Sequence, residues 1–178
     1  DDTGNAALGW KMPADGGISF GLTNPSDGNY AFFWINSDTT DTLSQKVHLA
    51  AGEYTLSASI DLVDADDMQV RMKARSLSDT NREFVKEIPA NLLSTTDSAS
   101  TYILNFEAEN ATGQDGEYFE IIFELVCHSK KTRSKLGIDH VMLEKNNTHN
   151  AYSMVEFGNF DNYHAATGGS AAYTLNQY

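Results

Sequence analysis

Seven of the twelve basic residues occupy two short stretches of the chain. Arg71, Lys73 and Arg75 alternate along one segment and so share one face of a strand, while Lys130, Lys131, Arg133 and Lys135 crowd a single turn. The whole chain carries 25 acidic residues against 12 basic ones, a formal charge of −13. On so acidic a background, clustered bases make a local positive surface suited to phosphate or uronate groups. Cross-strand neutralisation is the opposing reading: Asp61, Glu107, Glu120 and Glu124 also fall on polar strand faces and are able to pair with Arg71, Lys73 and Arg75.

A polar face holding Ser57, Ser59, Asp61, Gln69, Arg71, Asn105 and Glu120 suits a different ligand, one rich in hydroxyl groups. Charged and amide side chains offer such groups fixed, planar and often bidentate hydrogen bonds. A sugar also needs an aromatic platform for the C–H face of its ring. In Tyr30-Ala-Phe-Phe-Trp34, Tyr30, Phe32 and Trp34 fall on one side of a strand and Phe33 and Ile35 on the other. One side must be core. If Phe33 and Ile35 point inward, Tyr30 and Trp34 line the binding side; the alternative puts Trp34 in the core. Trp10 suits either purpose.

Catalytic signatures are absent. Five histidines (His48, His128, His140, His149, His164) show no metal-ligand spacing, and no nucleophile elbow or phosphate loop occurs. Glu120 and Glu124 share a strand face, but at about 3.3 Å per residue they stand about 13 Å apart, beyond both glycosidase geometries. The acidic run Asp61, Asp64, Asp66, Asp67 is no EF-hand, because a 12-residue loop from Asp61 or Asp64 would end on Met72 or Arg75 instead of Glu. It reads as a solvated turn, with an irregular oxygen-ligand site as the other option. The single cysteine, Cys127, permits no internal disulfide and reads as buried.

The charge disfavours nucleic acid, and the longest apolar run, Ala31 to Ile35, is far short of the roughly 20 residues that cross a bilayer as a helix. At 178 residues the chain has the length of one domain. It begins Asp-Asp without a leader, which reads as a piece or processed product of something larger.

Period-2 alternation supplies the elements. Gly52 to Leu62 and Val70 to Ala74 read as a hairpin across the acidic turn, and Tyr102 to Phe106 with Phe119 to Leu125 as a second strand pair. Ile18 to Leu22, Tyr30 to Asn36, Gln45 to Leu49, Phe84 to Ile88 and Leu136 to Leu143 complete about nine strands. Leu92-Leu93 is the one place for a short helical turn, before a Ser/Thr-rich loop. The expected fold is all-β, a two-sheet antiparallel sandwich of jelly-roll type, with an immunoglobulin-type topology as its rival. Residues 1–155 form the sandwich. Residues 156–178, with two charges and five aromatics, read either as a segment packed on this domain, a second copy or a neighbour, or as a linker.

Two stretches carry a resemblance. Leu49-Ala-Ala-Gly-Glu-Tyr-Thr-Leu-Ser-Ala-Ser-Ile60 resembles the aGtYtlSa strand of carbohydrate-binding modules of the families 4 and 9 type, which have a galactose-binding-like jelly roll. Gly137-Ile-Asp-His-Val-Met-Leu-Glu-Lys145 with Ala151-Tyr-Ser153 is similar to the iDwvkLEkG…a…WSp ending of such modules in bacteriophage tail, baseplate and fibre proteins, with Tyr152 in place of Trp. The likeness spans about Phe32 to Ser153.

It implies structural roles for Asp139 and Tyr152, sugar contacts from a concave sheet and its edge loops, and no required cofactor. Families of this fold often hold a structural calcium ion away from the sugar; its ligands are not matched residue by residue here. The resulting expectation is a non-catalytic module on a virion tail, outside the cell, binding a host cell-surface saccharide and other tail or baseplate subunits. Ser59, Asp61, Arg71, Lys73, Asn105 and Glu120 would supply hydrogen bonds, and Trp34 or Tyr30 would stack on the ring. The alternatives are a virion spacer or assembly module that binds no sugar, and an accessory module of a secreted polysaccharide hydrolase.

Overall fold

Alternating apolar and polar residues can bury one strand face only if a second sheet covers it. The computed structural model shows that arrangement and describes residues 9–11, 13, 16–20, 29–35, 40–63, 68–89, 100–127, 134–147, 153–155, 163–164 and 172–173. Its strands are β1 (Trp10–Lys11), β2 (Gly16–Phe20), β3 (Asn29–Ile35), β4 (Thr40–Leu49), β5 (Gly52–Val63), β6 (Met68–Ser76), β7 (Glu83–Pro89), β8 (Ser100–Ala108), β9 (Glu117–Cys127), β10 (Ser134–Lys145), β11 (Tyr163–His164) and β12 (Ala172–Tyr173). The first sheet has the order β1-β4-β9-β6-β7 and the second β2-β3-β10-β5-β8, so β9 and β10 are the middle strands. All pairings are antiparallel. The fold is an all-β, two-sheet jelly-roll sandwich. Within the tail, β11 and β12 pair as a separate two-stranded ribbon.

All nine segments expected from alternation are strands, but two expected pairings are not made. β5 and β6 do not form a hairpin: β5 lies between β10 and β8 in the second sheet, β6 between β9 and β7 in the first. Likewise β8 and β9 belong to different sheets. Among β1 to β10, β2–β3 and β6–β7 are the consecutive strands paired within one sheet; every other connection passes between sheets. Alternation tells a strand which face to bury. It carries no mark of the partner, and sandwich topologies commonly send successive strands to opposite sheets. The site proposed for a helical turn at Leu92-Leu93, the acidic turn at 64–67 and the side chain of Cys127 lie outside the described residues.

The core forms where the inner faces meet. Leu43, Val47 and Leu49 of β4, Phe119, Ile121, Phe123 and Leu125 of β9 and Val70, Met72 and Ala74 of β6 face Tyr54, Leu56, Ala58 and Ile60 of β5, Leu104 and Phe106 of β8 and Ile138, Val141 and Leu143 of β10. Burying each large side chain contributes about 1.5–3 kcal/mol. Phe106 joins the layers, with ring centroids 5.1 Å from Phe119, 5.8 Å from Phe84 and 5.8 Å from Tyr54. Trp10, open to either role in sequence, is buried against Phe123 at 6.2 Å and belongs to the core.

Three local devices fix the frame. Between Asp139 and Met142 of β10, three residue steps oppose the two from Ser59 to Ser57, a bulge that restores Val141 and Leu143 to the core. The buried Asp139 carboxylate accepts the His140 amide at 2.7 Å and lies 3.0 Å from His140 Nδ1, holding His140 at a φ of 48°. Downstream of the bulge the Met154 amide donates to the Leu143 carbonyl at 2.7 Å, which ties residues 153–155 to β10; Tyr152 itself lies outside the described residues. Finally, buried Glu117 accepts from Ser76 Oγ (2.7 Å), Arg82 Nη1 (2.8 Å) and the Glu109 amide (2.7 Å), while Arg82 Nη2 donates to the Glu107 carbonyl at 2.9 Å in the other sheet.

Candidate functional site

Each sheet turns a second face outward, and the two outward faces differ in chemistry. On the second sheet, the row Met142–Ser57–Ile103 lies between Glu144–Thr55–Asn105 and Asp139–Ser59–Thr101. Ile103 and Met142 are exposed. Thr55 Oγ1 is 2.9 Å from Asn105 Oδ1 and 2.8 Å from Asn146 Oδ1.

The first sheet presents a charged lattice instead. Its rows read Lys46–Glu120–Arg75–Glu83, Lys11–Ser44–Ile122–Lys73–Val85 and Thr42–Glu124–Arg71–Glu87, five cations against four carboxylates. Glu124 accepts from Arg71 Nη1 at 3.1 Å and from Lys73 Nζ at 3.0 Å. Glu120 is held by Arg75 and by Ser44 Oγ, the latter at 3.0 Å. Arg71 also lies 3.3 Å from Glu87 through Nε and donates to Gln69 Oε1 at 3.2 Å; Gln69 Nε2 in turn donates to Glu87 at 3.1 Å.

The middle of this face is withdrawn from solvent. Ser44 and Ile122 are 4% and 5% exposed, and the side chains of Lys73 and Glu124 only 14% and 15%. Burial pushes both the Glu120 and the Glu124 carboxyl up, but the donors beside them outweigh it. Hydrogen bonds from Arg75 and Ser44, with the charges of Arg75 and Lys46, bring Glu120 below the usual carboxylate value. For Glu124 the same is done by Lys73 and Arg71. Both groups are therefore firm acceptors near neutral pH, with their donors fixed in place.

At one end of the lattice, His48 of β4 stands opposite Tyr118 of β9. Their ring centroids are 4.7 Å apart with the planes tilted by 59°, and Tyr118 is 51% exposed. The Tyr118 carbonyl accepts the amide of Leu77, itself exposed, at 2.8 Å.

Of the residues proposed from sequence, the structure brings Arg71, Lys73 and Glu120 together on the first sheet. Ser59 and Asn105 lie on the second sheet, across the sandwich, so the single polar face expected from sequence is two faces. Asp61 stands on β5 opposite Gly137, and Tyr30 and Trp34 on β3 opposite Ser19 and Lys135, again in the second sheet. Their side chains lie outside the described residues. Of the two readings open at Arg71, Lys73 and Arg75, cross-strand neutralisation is the one found: they pair with Glu83 and Glu87 of β7 and Glu120 and Glu124 of β9. Lys130, Lys131 and Arg133 lie outside the described residues.

Tyr118 and His48 escaped the sequence reading. Their signal is an aromatic ring in the polar phase of an alternating strand: Tyr118 shares its phase with Glu120 and Glu124, and His48 with Lys46. Among the described residues, no three His, Cys, Asp or Glu side chains are grouped to hold a metal ion.

No protein family matches the chain by sequence, and no curated protein does. Solved structures do match by shape. TmCBM61 in complex with β-1,4-galactotriose superposes with a TM-score of 0.54 at 17% identity, over 77% of this chain and 88% of that one. A CBM4 structure gives 0.50 at 18% identity, over 76% and 77%. The enzymatically active domain of tailspike protein 4 from bacteriophage CBA120 gives 0.50 at 10% identity, over 76% of this chain and 19% of the tailspike chain. The chain thus has the β-sandwich fold of carbohydrate-binding modules.

Proposed function

We propose that this chain is a non-catalytic carbohydrate-binding module of a bacteriophage tail or baseplate protein, attaching the virion to a saccharide of the host cell wall. The observation that carries the sugar reading is the lattice on the first sheet, where Arg71, Lys73, Arg75, Glu120 and Glu124 are locked in fixed donor and acceptor geometry. Hydroxyl groups laid on such a lattice exchange water contacts for pre-oriented protein contacts, so little side-chain entropy is lost on binding. The net gain per hydroxyl is small, and copies on a multimeric tail supply avidity. Two likenesses support the phage setting: the closing strand Gly137 to Lys145 and the shape of the tailspike domain.

A second reading has an observation of its own. A lattice whose charges already satisfy one another needs no ligand, which favours a spacer or assembly module of the virion. The module shapes of TmCBM61 and CBM4 equally support an accessory module of a secreted polysaccharide hydrolase.

The test is binding of a fluorescent fusion of the chain to whole bacterial cells and to a glycan array, with and without a calcium chelator. Saccharide-competed binding to cells is the expected result. Binding to plant or microbial glycans without cell attachment favours the hydrolase accessory, and no binding by a folded, multivalent sample overturns the sugar reading in favour of the spacer.

A further inference from the structure

We propose that Tyr118 and His48 form the ring-stacking end of the saccharide site, and that the site takes an uncharged sugar. This rests on the carbohydrate-binding reading and deepens it. An exposed phenol ring on the outward face of a sheet keeps apolar area in water, and a flat C–H surface relieves it. Two rings at 59° with centroids 4.7 Å apart make a corner, so a sugar lying on Tyr118 has the imidazole of His48 beside it as a hydrogen-bonding wall.

The next residues on the same phase of β9 and β4 are Glu120 and Lys46. At about 3.3 Å per residue they lie about 7 Å along the strands from the rings, within one step of a chain of sugars. A ligand seated on Tyr118 therefore extends over the row Lys46–Glu120–Arg75–Glu83.

Charge decides the ligand class. With Lys11 opposite Ser44 at the β1 edge the face holds five cations against four carboxylates, so it is nearly balanced in charge on a chain of formal charge −13 and does not concentrate anions. Over the middle strands a uronate would have to displace Glu120 or Glu124 from Arg71, Lys73 and Arg75 and leave a half-buried carboxylate facing it. An uncharged polyol uses the lone pairs and N–H groups left over without breaking a pair.

The experiment uses the full chain on an array of neutral gluco-, xylo- and galacto-oligosaccharides beside galacturonic acid oligomers, followed by titration of the best hit. The variants are Tyr118→Ala, Tyr118→Phe and, on the exposed face of the other sheet, Thr101→Ala. The expected result is selection of a neutral glycan with affinity insensitive to salt. Tyr118→Ala weakens it about tenfold, Tyr118→Phe stays within about twofold, and Thr101→Ala matches the parent. Circular dichroism confirms that each variant is folded. Preference for galacturonate with steep salt dependence, or full binding by Tyr118→Ala, overturns this assignment while leaving saccharide binding in place. A folded parent chain that binds no glycan overturns the underlying reading as well.

Discussion

Lys73 stands opposite Ile122 across the β6–β9 ladder, yet its Nζ reaches diagonally to Glu124, 3.0 Å away. The residue directly opposite Glu124 is Arg71, which donates to the same carboxylate at 3.1 Å. One half-buried carboxylate thus holds two cations from one strand, and Ile122 is covered between them at 5% exposure.

That arrangement predicts an acid-sensitive fold. Because the donors beside them hold the Glu120 and Glu124 carboxyls below the usual carboxylate range, the stability they contribute is present above that range and is lost as pH falls through their lowered values. Urea midpoints measured from pH 7 to pH 3 should fall more steeply for the parent than for Glu124→Gln or Glu120→Gln. Parallel curves would show that the pairs contribute no net stability.

The alkaline side has a separate origin. Burial pushes the Tyr54 phenol above the usual tyrosine range, and its hydroxyl donates to the Ala50 carbonyl at 2.8 Å. Stability from this group holds below about pH 10 and disappears as pH rises through the folded value. Tyr54→Phe should cost about 1 kcal/mol at neutral pH through the lost hydrogen bond and flatten the alkaline limb of thermal unfolding.

Two glycines separate conformational strain from collision. Gly116 has a φ of 86°, and a β-carbon there would lie 2.3 Å from the Leu49 carbonyl oxygen. Gly113 has a φ of 76° with nothing within 4 Å of the added carbon. Denaturant titration should place Gly113→Ala about 1–2 kcal/mol below the parent and Gly116→Ala clearly lower still.

Glu117 is the costliest charge to disturb. Its carboxylate satisfies Ser76, Arg82 and the Glu109 amide while buried between β9, the β6–β7 turn and β8. Glu117→Ala leaves Ser76 Oγ, the Glu109 amide and Arg82 Nη1 without their acceptor, while Arg82 Nη2 keeps the Glu107 carbonyl, and should cost about 1–3 kcal/mol in equilibrium unfolding. Adding Arg82→Ala to it should cost less than the two single losses together, because the pair acts as a unit.

Strand positions were legible because one-sided burial writes itself as alternation, and Tyr54, Leu56, Ala58 and Ile60 carry it without a break. Strand partners were not, because Arg71 meets Glu124 across more than 50 residues of chain and nothing local records that register. The same gap misplaced Ser59 and Asn105: each is correctly polar and outward, but on the other sheet from Arg71. Cross-strand neutralisation, one of two readings open in sequence, is the one realised at Glu120 and Glu124. Tyr118 was hidden by sitting one residue before the apolar phase from which β9 was read.

The middle strands have a consequence in time. When synthesis has reached the end of β8, the chain holds only four separate ribbons, β1–β4, β6–β7, β2–β3 and β5–β8. Isolated two-stranded ribbons are marginal in water. β9 then bridges the first two and β10 the last two. Both sheets are completed by residues 117–145, so neither can close before that segment has been made. A fragment ending before Glu117 has every outer strand and nothing to join them.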